Sequence, residues 1–137
     1  MDLMNEPGFR LDLRSGVPVY RQIIDQVLAG IASGALVPGD QLPTVRQLAV
    51  DLSINPNTVI RAYREMEIRG MLDTQQGSGT FISNRKVKVD GAERQRRLHQ
   101  LAAEFVARAG EAGFTLRELF EELNDFQAES DRNNKRR

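Results

Sequence analysis

Between positions 55 and 64 the chain carries Asn55, Asn57, Thr58, Ile60, Arg61 and Arg64, side chains that can read the edges of DNA bases. An asparagine amide can bond adenine in bidentate fashion, an arginine can bond guanine or phosphate, and an isoleucine can press on a thymine methyl. Spacing matters as much as type. Val59, Ala62, Tyr63 and Met66 recur at i, i+3, i+4 and i+7, the buried stripe of a helix, while Asn57, Ile60, Arg61 and Arg64 repeat the same spacing on the other side. A face that met only water would rarely include an isoleucine. Ile68 also lies on that outward side and fits no groove contact.

Other chemistries find little support. The 137 residues include no cysteine, so there is no disulfide framework, thiolate nucleophile or cysteine zinc site, and the single His99 cannot build a multi-histidine metal centre. His99 is read as an ordinary surface residue, and no metal or cofactor is expected. No nucleophile has a neighbouring base, no phosphate-binding Gly-x-x-x-x-Gly-Lys loop occurs, and Glu118, Glu121, Glu122 and Asp125 read as a solvated helix face. The chain is therefore not expected to be an enzyme. The N-terminus lacks a basic flank and an apolar stretch of leader type, and no window approaches a membrane span, so the expectation is a cytoplasmic protein without a membrane partner.

A formal net charge of zero argues against holding nucleic acid by bulk cationic attraction. The balance conceals segregation. Residues 1–84 carry seven basic and nine acidic side chains, 85–97 six and two, 98–131 two and eight, and 132–137 four and none. This pattern leads to an expectation of weak non-specific affinity, with specificity carried by a few placed contacts such as Arg46, Arg61 and Arg64.

The elements that must position these residues follow from caps and periodicity. Tyr20, Ile23, Ile24, Val27, Leu28 and Ile31 mark a first helix, opened near Pro18 and closed by Gly34. Thr44 and Gln47 have capping-box spacing before a short second helix ending near Leu52. Asn55 as N-cap and Pro56 as first helical residue begin a third, which runs to Arg69 with Gly70 at its end. Two short helices joined by so small a turn suggest a helix-turn-helix, although such pairs also occur in proteins that touch no DNA. Docked helix-turn-helix proteins meet bases through the N-terminal residues of the second helix of the motif, which puts Asn55, Asn57 and Thr58 in front and Arg61 one turn later. Met71–Gln75 and Thr80–Ser83 flank Gln76-Gly77-Ser78-Gly79, a hairpin. It is either an ordinary edge turn or a wing whose tip lies along a minor groove or phosphates, where glycine lets backbone amides approach closely.

The segments Tyr20-Arg21-Gln22-Ile23, Leu36 to Ala49 with Pro38-Gly39-Asp40-Gln41-Leu42-Pro43-Thr44-Val45-Arg46 inside it, Asn55-Pro56-Asn57-Thr58-Val59 and Gln76-Gly77-Ser78-Gly79-Thr80-Phe81 together resemble the N-terminal winged-helix domain of GntR-family bacterial transcription regulators. The likeness covers about residues 9 to 83. Asn-Pro-Asn-Thr-Val followed by Arg61-Ala62-Tyr63-Arg64-Glu65-Met66-Glu67, with a short helical remainder, is similar to the YtrA-like subfamily. The resemblance implies DNA contacts by Arg46 of the Leu-Pro-x-x-Arg segment, with Thr44 beside it. It implies them also for the polar start of the third helix at Asn55, Asn57 and Thr58, and for the wing tip at Gly77, Ser78 and Gly79. Many relatives outside the subfamily have arginine where this chain has Pro56 and Ile60, so their half-site preference does not transfer. Relatives with a metal-binding effector domain use several histidines, and those with a pyridoxal phosphate enzyme domain need a far longer chain.

Beyond residue 97, Leu98, Leu101, Ala102, Phe105, Val106 and Ala109 form one apolar stripe, and Leu116, Leu119, Phe120, Leu123 and Phe126 another. Gly110-Glu111-Ala112-Gly113 turns the chain between them. Thr115 with Glu118 has capping-box spacing, and Phe114 with Leu119 can form a hydrophobic staple. Two helices of roughly 12–15 residues cannot bury both stripes alone. Packing back on the winged domain is one outlet; a two-fold homodimer through Leu98, Leu101, Phe105, Leu116, Leu119, Phe120 and Leu123 is the stronger one.

The expected protein is mainly α with a small β-hairpin wing. A winged helix-turn-helix spans 9–84, a basic connector 85–97, a helical dimerisation hairpin 98–130 and a basic tail 131–137. It is expected to regulate transcription as a repressor, binding an inverted-repeat double-stranded DNA operator as a homodimer. The competing expectation is a winged helix kept as a protein-interaction module, which the neutral charge favours and the groove-facing residues oppose. A small-molecule effector of unread identity would have to bind at a dimer or domain seam.

Overall fold

The computed structural model describes residues 8–84 and 90–135, which fall into two compact units, residues 8–84 with 130–135 in one and residues 90–129 in the other. The first five residues of the expected connector, 85–89, and the tail positions 136 and 137 lie outside the described residues.

In the first unit, α1 spans Val19–Ser33 and buries Ile23, Ile24 and Val27 on one face. Gly34 caps it in the left-handed region, where its N–H reaches Ile31 O. Two amides on α1 hold the preceding segment. The Gln22 side chain accepts from Asp12 N–H and donates to the carbonyls of Asp12 and Val17, and the Gln26 side chain bridges both backbone groups of Arg10. Helix α2 covers Val45–Leu52 and α3 covers Pro56–Ile68. The capping box is formed in full: Thr44 Oγ1 accepts from Gln47 N–H at 3.1 Å, and Gln47 Oε1 accepts from Thr44 N–H at 3.0 Å. Between the two helices Ser53 adopts φ 55°, the only described non-glycine residue at positive φ, and its N–H closes α2 onto Ala49 O and Val50 O.

Helix α3 is the central element, packed against α1, α2 and the hairpin. Its stripe Val59, Ala62, Tyr63 and Met66 is buried as the periodicity predicts. Tyr63 carries a polar group into that core, and its Oη donates to Pro43 O at 2.7 Å, which ties α3 to the start of α2. Leaving a buried hydroxyl unpaired would cost about 1–3 kcal/mol. Leu36, Leu42, Leu48, Ala49, Leu72 and Ile82 complete the core, with Phe9 and Ile54 at its margin.

The hairpin joins β1 (Leu72–Gln75) to β2 (Gly79–Ile82), antiparallel, with Leu72 opposite Ile82 and Gln75 opposite Gly79. Met71 and Ser83, expected within the strands, fall just outside them, yet Ser83 N–H still reaches Met71 O. A further edge to this sheet has no local signature in the residues. Gly39 N–H donates to Ile82 O, Ile82 N–H to Asp40 O and Leu42 N–H to Thr80 O, so the loop before α2 runs along β2 and anchors it.

The second unit contains α4 (Gly91–Glu111) and α5 (Leu116–Lys135) as far as residue 129. At 21 and 20 residues they are longer than the 12–15 expected from the apolar stripes. The reason is local. Asp90 Oδ1 accepts from Ala92 and Glu93 N–H and starts α4 inside the basic stretch, so residues 91–97 are helix. At the other end no glycine or proline follows Gly113, and nothing stops α5 before the residues expected to form a tail. Both expected capping-box bonds between Thr115 and Glu118 are present. Phe114 and Leu119 line a single cleft together with Phe105 and Ala109. Among the described residues no helix is long and apolar enough to cross a membrane.

Candidate nucleic-acid interface

The outward side of α3 is built by the burial of its other side. With Val59, Ala62, Tyr63 and Met66 in the core, Asn57, Ile60, Arg61 and Arg64 are left exposed, and together with Glu65 and Ile68 they line one open depression. Ile60 sits at 36% exposure and Ile68 at 79%, so the first is seated at the margin and the second stands clear at the end of the helix. At the start of α3 Pro56 has no N–H, and the Asn57 and Thr58 N–H groups are taken by Asn55 Oδ1 and Asn55 O, so the helix dipole is what favours an anion there.

The structure separates residues that the sequence placed together. Asn55 Oδ1 accepts the Asn57 N–H at 2.8 Å and caps the helix. Bidentate recognition of adenine requires both the oxygen and the nitrogen of the amide. The Asn55 amide thus has one of its oxygen lone pairs and its orientation committed to the cap, whereas no hydrogen bond engages the Asn57 side chain among the described residues, leaving both its groups available. Thr44 is likewise engaged as the N-cap of α2, and its hydroxyl hydrogen remains to donate. Thr58 is half-buried at the first turn. Arg46, on the first turn of α2, and Arg64, on α3, are exposed. Arg61 is also exposed, but its Cζ stands 3.8 Å from the centroid of the Tyr20 ring.

At the hairpin tip Ser78 N–H donates to Gln75 O at 2.9 Å, with Gly77 at φ 82° in the place where such a turn demands positive φ. The two wing glycines differ. A side chain at Gly77 would meet nothing within 4 Å, so the backbone there is open to an approaching surface. At Gly79, φ 129°, a Cβ would come within 2.5 Å of Gln41 Nε2. That amide donates to Ser78 O at 3.2 Å and fixes the tip from a residue 37 positions away. On the other strand, Thr74 Oγ1 donates to Glu67 Oε1 at 2.7 Å and joins β1 to α3.

Gln41 and Tyr20 were not among the expected site residues. Both lie in the segments that carry the family resemblance, and nothing local distinguishes a tip-bracing glutamine from a solvated one. Of the basic connector, Arg96 bonds Glu93 twice, at 2.7 and 3.0 Å, and Arg97 once, at 3.0 Å, and these hydrogen bonds hold the Glu93 carboxyl below the usual carboxylate range. Their donors are thus partly engaged within α4. The expected dimerisation residues Leu98, Leu101, Phe105, Leu116, Phe120 and Leu123 are all exposed, and Leu119 is half-buried. Among the described residues no group of His, Asp or Glu side chains is placed to hold a metal ion.

Comparison with known proteins gives the same outline. Residues 19–82 match the family described as bacterial regulatory proteins, gntR family. The chain is 37% identical over 113 residues to the HTH-type transcriptional regulator YhcF of Bacillus subtilis, covering 82% of this chain and 93% of YhcF. It is 35% identical over 120 residues to the HTH-type transcriptional repressor YtrA of the same organism, covering 88% and 92%. Among solved structures, YtrA of Sulfolobus acidocaldarius, a GntR-family transcription factor, superposes with a TM-score of 0.52 at 33% identity, over 69% of this chain and 97% of that one.

Proposed function

The chain belongs to the GntR family of bacterial regulatory proteins, as a winged helix-turn-helix DNA-binding transcription regulator of the YtrA-like kind, and on that premise we propose how it reads DNA. Each subunit lays α3 in a major groove. Asn57 and Arg61 bond base edges, Ile60 meets a thymine methyl, and Arg46, Arg64 and the amide of Gly77 bond phosphates on either side. The observation that carries this reading is the outward face of α3. Its Asn57 amide has no partner among the described residues, and it lies directly opposite a stripe whose burial fixes the helix rotation.

Two copies join through the exposed stripes of α4 and α5 and place their α3 helices on an inverted repeat. Half-site centres are then about 10 bp apart or a multiple of that. Occupancy of such an operator blocks transcription, and repression needs no catalytic step. The name of the Bacillus subtilis relative YtrA, a repressor, supports that direction. A winged helix used only for protein contacts has less support, since it would not require uncommitted amide and guanidinium groups on α3.

The test is selection of duplexes from a random pool by the full chain, followed by titration of the selected duplex at fixed salt. An enriched two-fold repeat, with Asn57→Ala and Arg61→Ala each costing about 1–3 kcal/mol, is the expected result. Enrichment of no sequence, or variants that bind as tightly as the parent, would sink the assignment.

A further inference from the structure

Arg61 differs from the other arginines assigned to DNA in having an ordering contact inside the protein, with its Cζ 3.8 Å from the centroid of the Tyr20 ring. Tyr20 lies in the first turn of α1, half-buried and packed against the core margin, outside the helix-turn-helix itself. At that separation the guanidinium lies over the ring in cation–π contact. Arginines commonly stack on aromatic faces, and in that arrangement the in-plane N–H donors point past the ring, as bidentate bonding to guanine or phosphate requires. Among the described residues no hydrogen bond or ion pair engages those donors. Arg46 and Arg64 have no comparable aromatic support among the described residues.

We propose that Tyr20 is a positioning residue for DNA reading, holding the Arg61 guanidinium in place before the duplex arrives. The inference rests on the reading of α3 as the recognition helix. An unsupported arginine must lose rotamer freedom when it binds, and a pre-stacked one has already lost much of it. Helix α1 would thereby contribute to specificity without touching a base.

A double-mutant cycle tests this, using the full chain and the duplex it selects, with single-base variants of that duplex. Tyr20→Phe keeps the ring and is expected to bind within about twofold of the parent, whereas Tyr20→Leu loses about threefold to tenfold. In an Arg61→Ala background Tyr20→Leu is expected to add nothing, and in the parent background it should flatten discrimination at one base pair and leave the others unchanged. A Tyr20→Leu loss that persists at full size without Arg61 would overturn the proposal, because Tyr20 would then act through the fold or through DNA directly. So would a Tyr20→Leu variant that binds like the parent while Arg61→Ala is weak. If Arg61→Ala itself binds like the parent, the reading of α3 fails first, which distinguishes that failure from the failure of the Tyr20 role. Thermal unfolding of Tyr20→Leu alongside titration at saturating folded protein separates any loss of folding from the loss of affinity.

Discussion

Met66 on α3 and Phe105 on α4 are both large apolar residues on amphipathic helices, yet Met66 is fully buried and Phe105 is 54% exposed. The difference extends over both units. The winged unit closes a core of thirteen buried residues around α3, drawing on three helices, the hairpin and the loop that edges it. In α4 no residue is buried, and Leu98, Leu101, Phe105 and Val106 are exposed along one side. Apolar periodicity therefore specifies a face to be covered and not what covers it. The first unit contains its own cover. The second displays exposed apolar residues of the kind that mark an interaction site, and the matching face of a second copy is the cover proposed above.

The comparison can be broken most severely by truncating the two residues that define it. Met66→Ala is expected to destabilise the winged unit by about 2–5 kcal/mol at any protein concentration. Phe105→Ala should lower stability only where the protein is dimeric, with the loss shrinking on dilution. Thermal unfolding across a dilution series reads both, and a concentration-independent loss for Phe105→Ala would mean that its stripe is covered within one chain.

A charge placed on the open face should act on assembly and leave the closed core intact. Phe120→Glu is expected to shift the sedimentation mass to that of a monomer, with the circular dichroism of the winged unit preserved and operator affinity lowered by the loss of linked half-sites. An unchanged dimer would put the interface elsewhere.

Within the winged unit, Asn55 and Asn57 should separate by readout. Asn55→Ala removes a helix cap and should cost about 1 kcal/mol of folding stability, largely restored by Asn55→Ser. Asn57→Ala should leave the melting temperature nearly unchanged and weaken the selected duplex by about 1–3 kcal/mol. Reversal of the two patterns would exchange their roles.

The smallest effect is expected at the start of α4. Hydrogen bonds from Arg96 and Arg97 lower the Glu93 pKa, so the carboxylate's contribution is present above the ordinary carboxylate range and is lost as pH falls through the lowered folded value. Amide exchange at residues 92–97 should quicken over that acidic window and stay flat in the winged core. Exchange that is insensitive to pH once corrected for its intrinsic rate would show that the exposed pairs contribute nothing.

Much of this architecture is legible in the chain because its signals are local. Asn55-Pro56 starts α3, Thr44 with Gln47 starts α2, Thr115 with Glu118 starts α5, and the spacing of Val59, Ala62, Tyr63 and Met66 turns α3 so that Asn57, Ile60, Arg61 and Arg64 face out. Helix lengths in the second unit were less legible, since an apolar stripe marks only the residues that seek cover and the polar turns of α4 and α5 extend beyond it.

What only the tertiary structure decided are the contacts between residues distant in sequence. Gln41 braces the wing tip through Ser78 O, and the loop at Gly39–Leu42 adds an edge to β2. Tyr20 on α1 meets Arg61 on α3. None of these leaves a periodic or capping signature, because the partners come together only after the core has closed. Sequence by itself determined which side chains α3 turns outward, for helix rotation follows from burial. The packed fold decided which of those side chains are already engaged, as at Asn55, and which are held ready, as at Arg61.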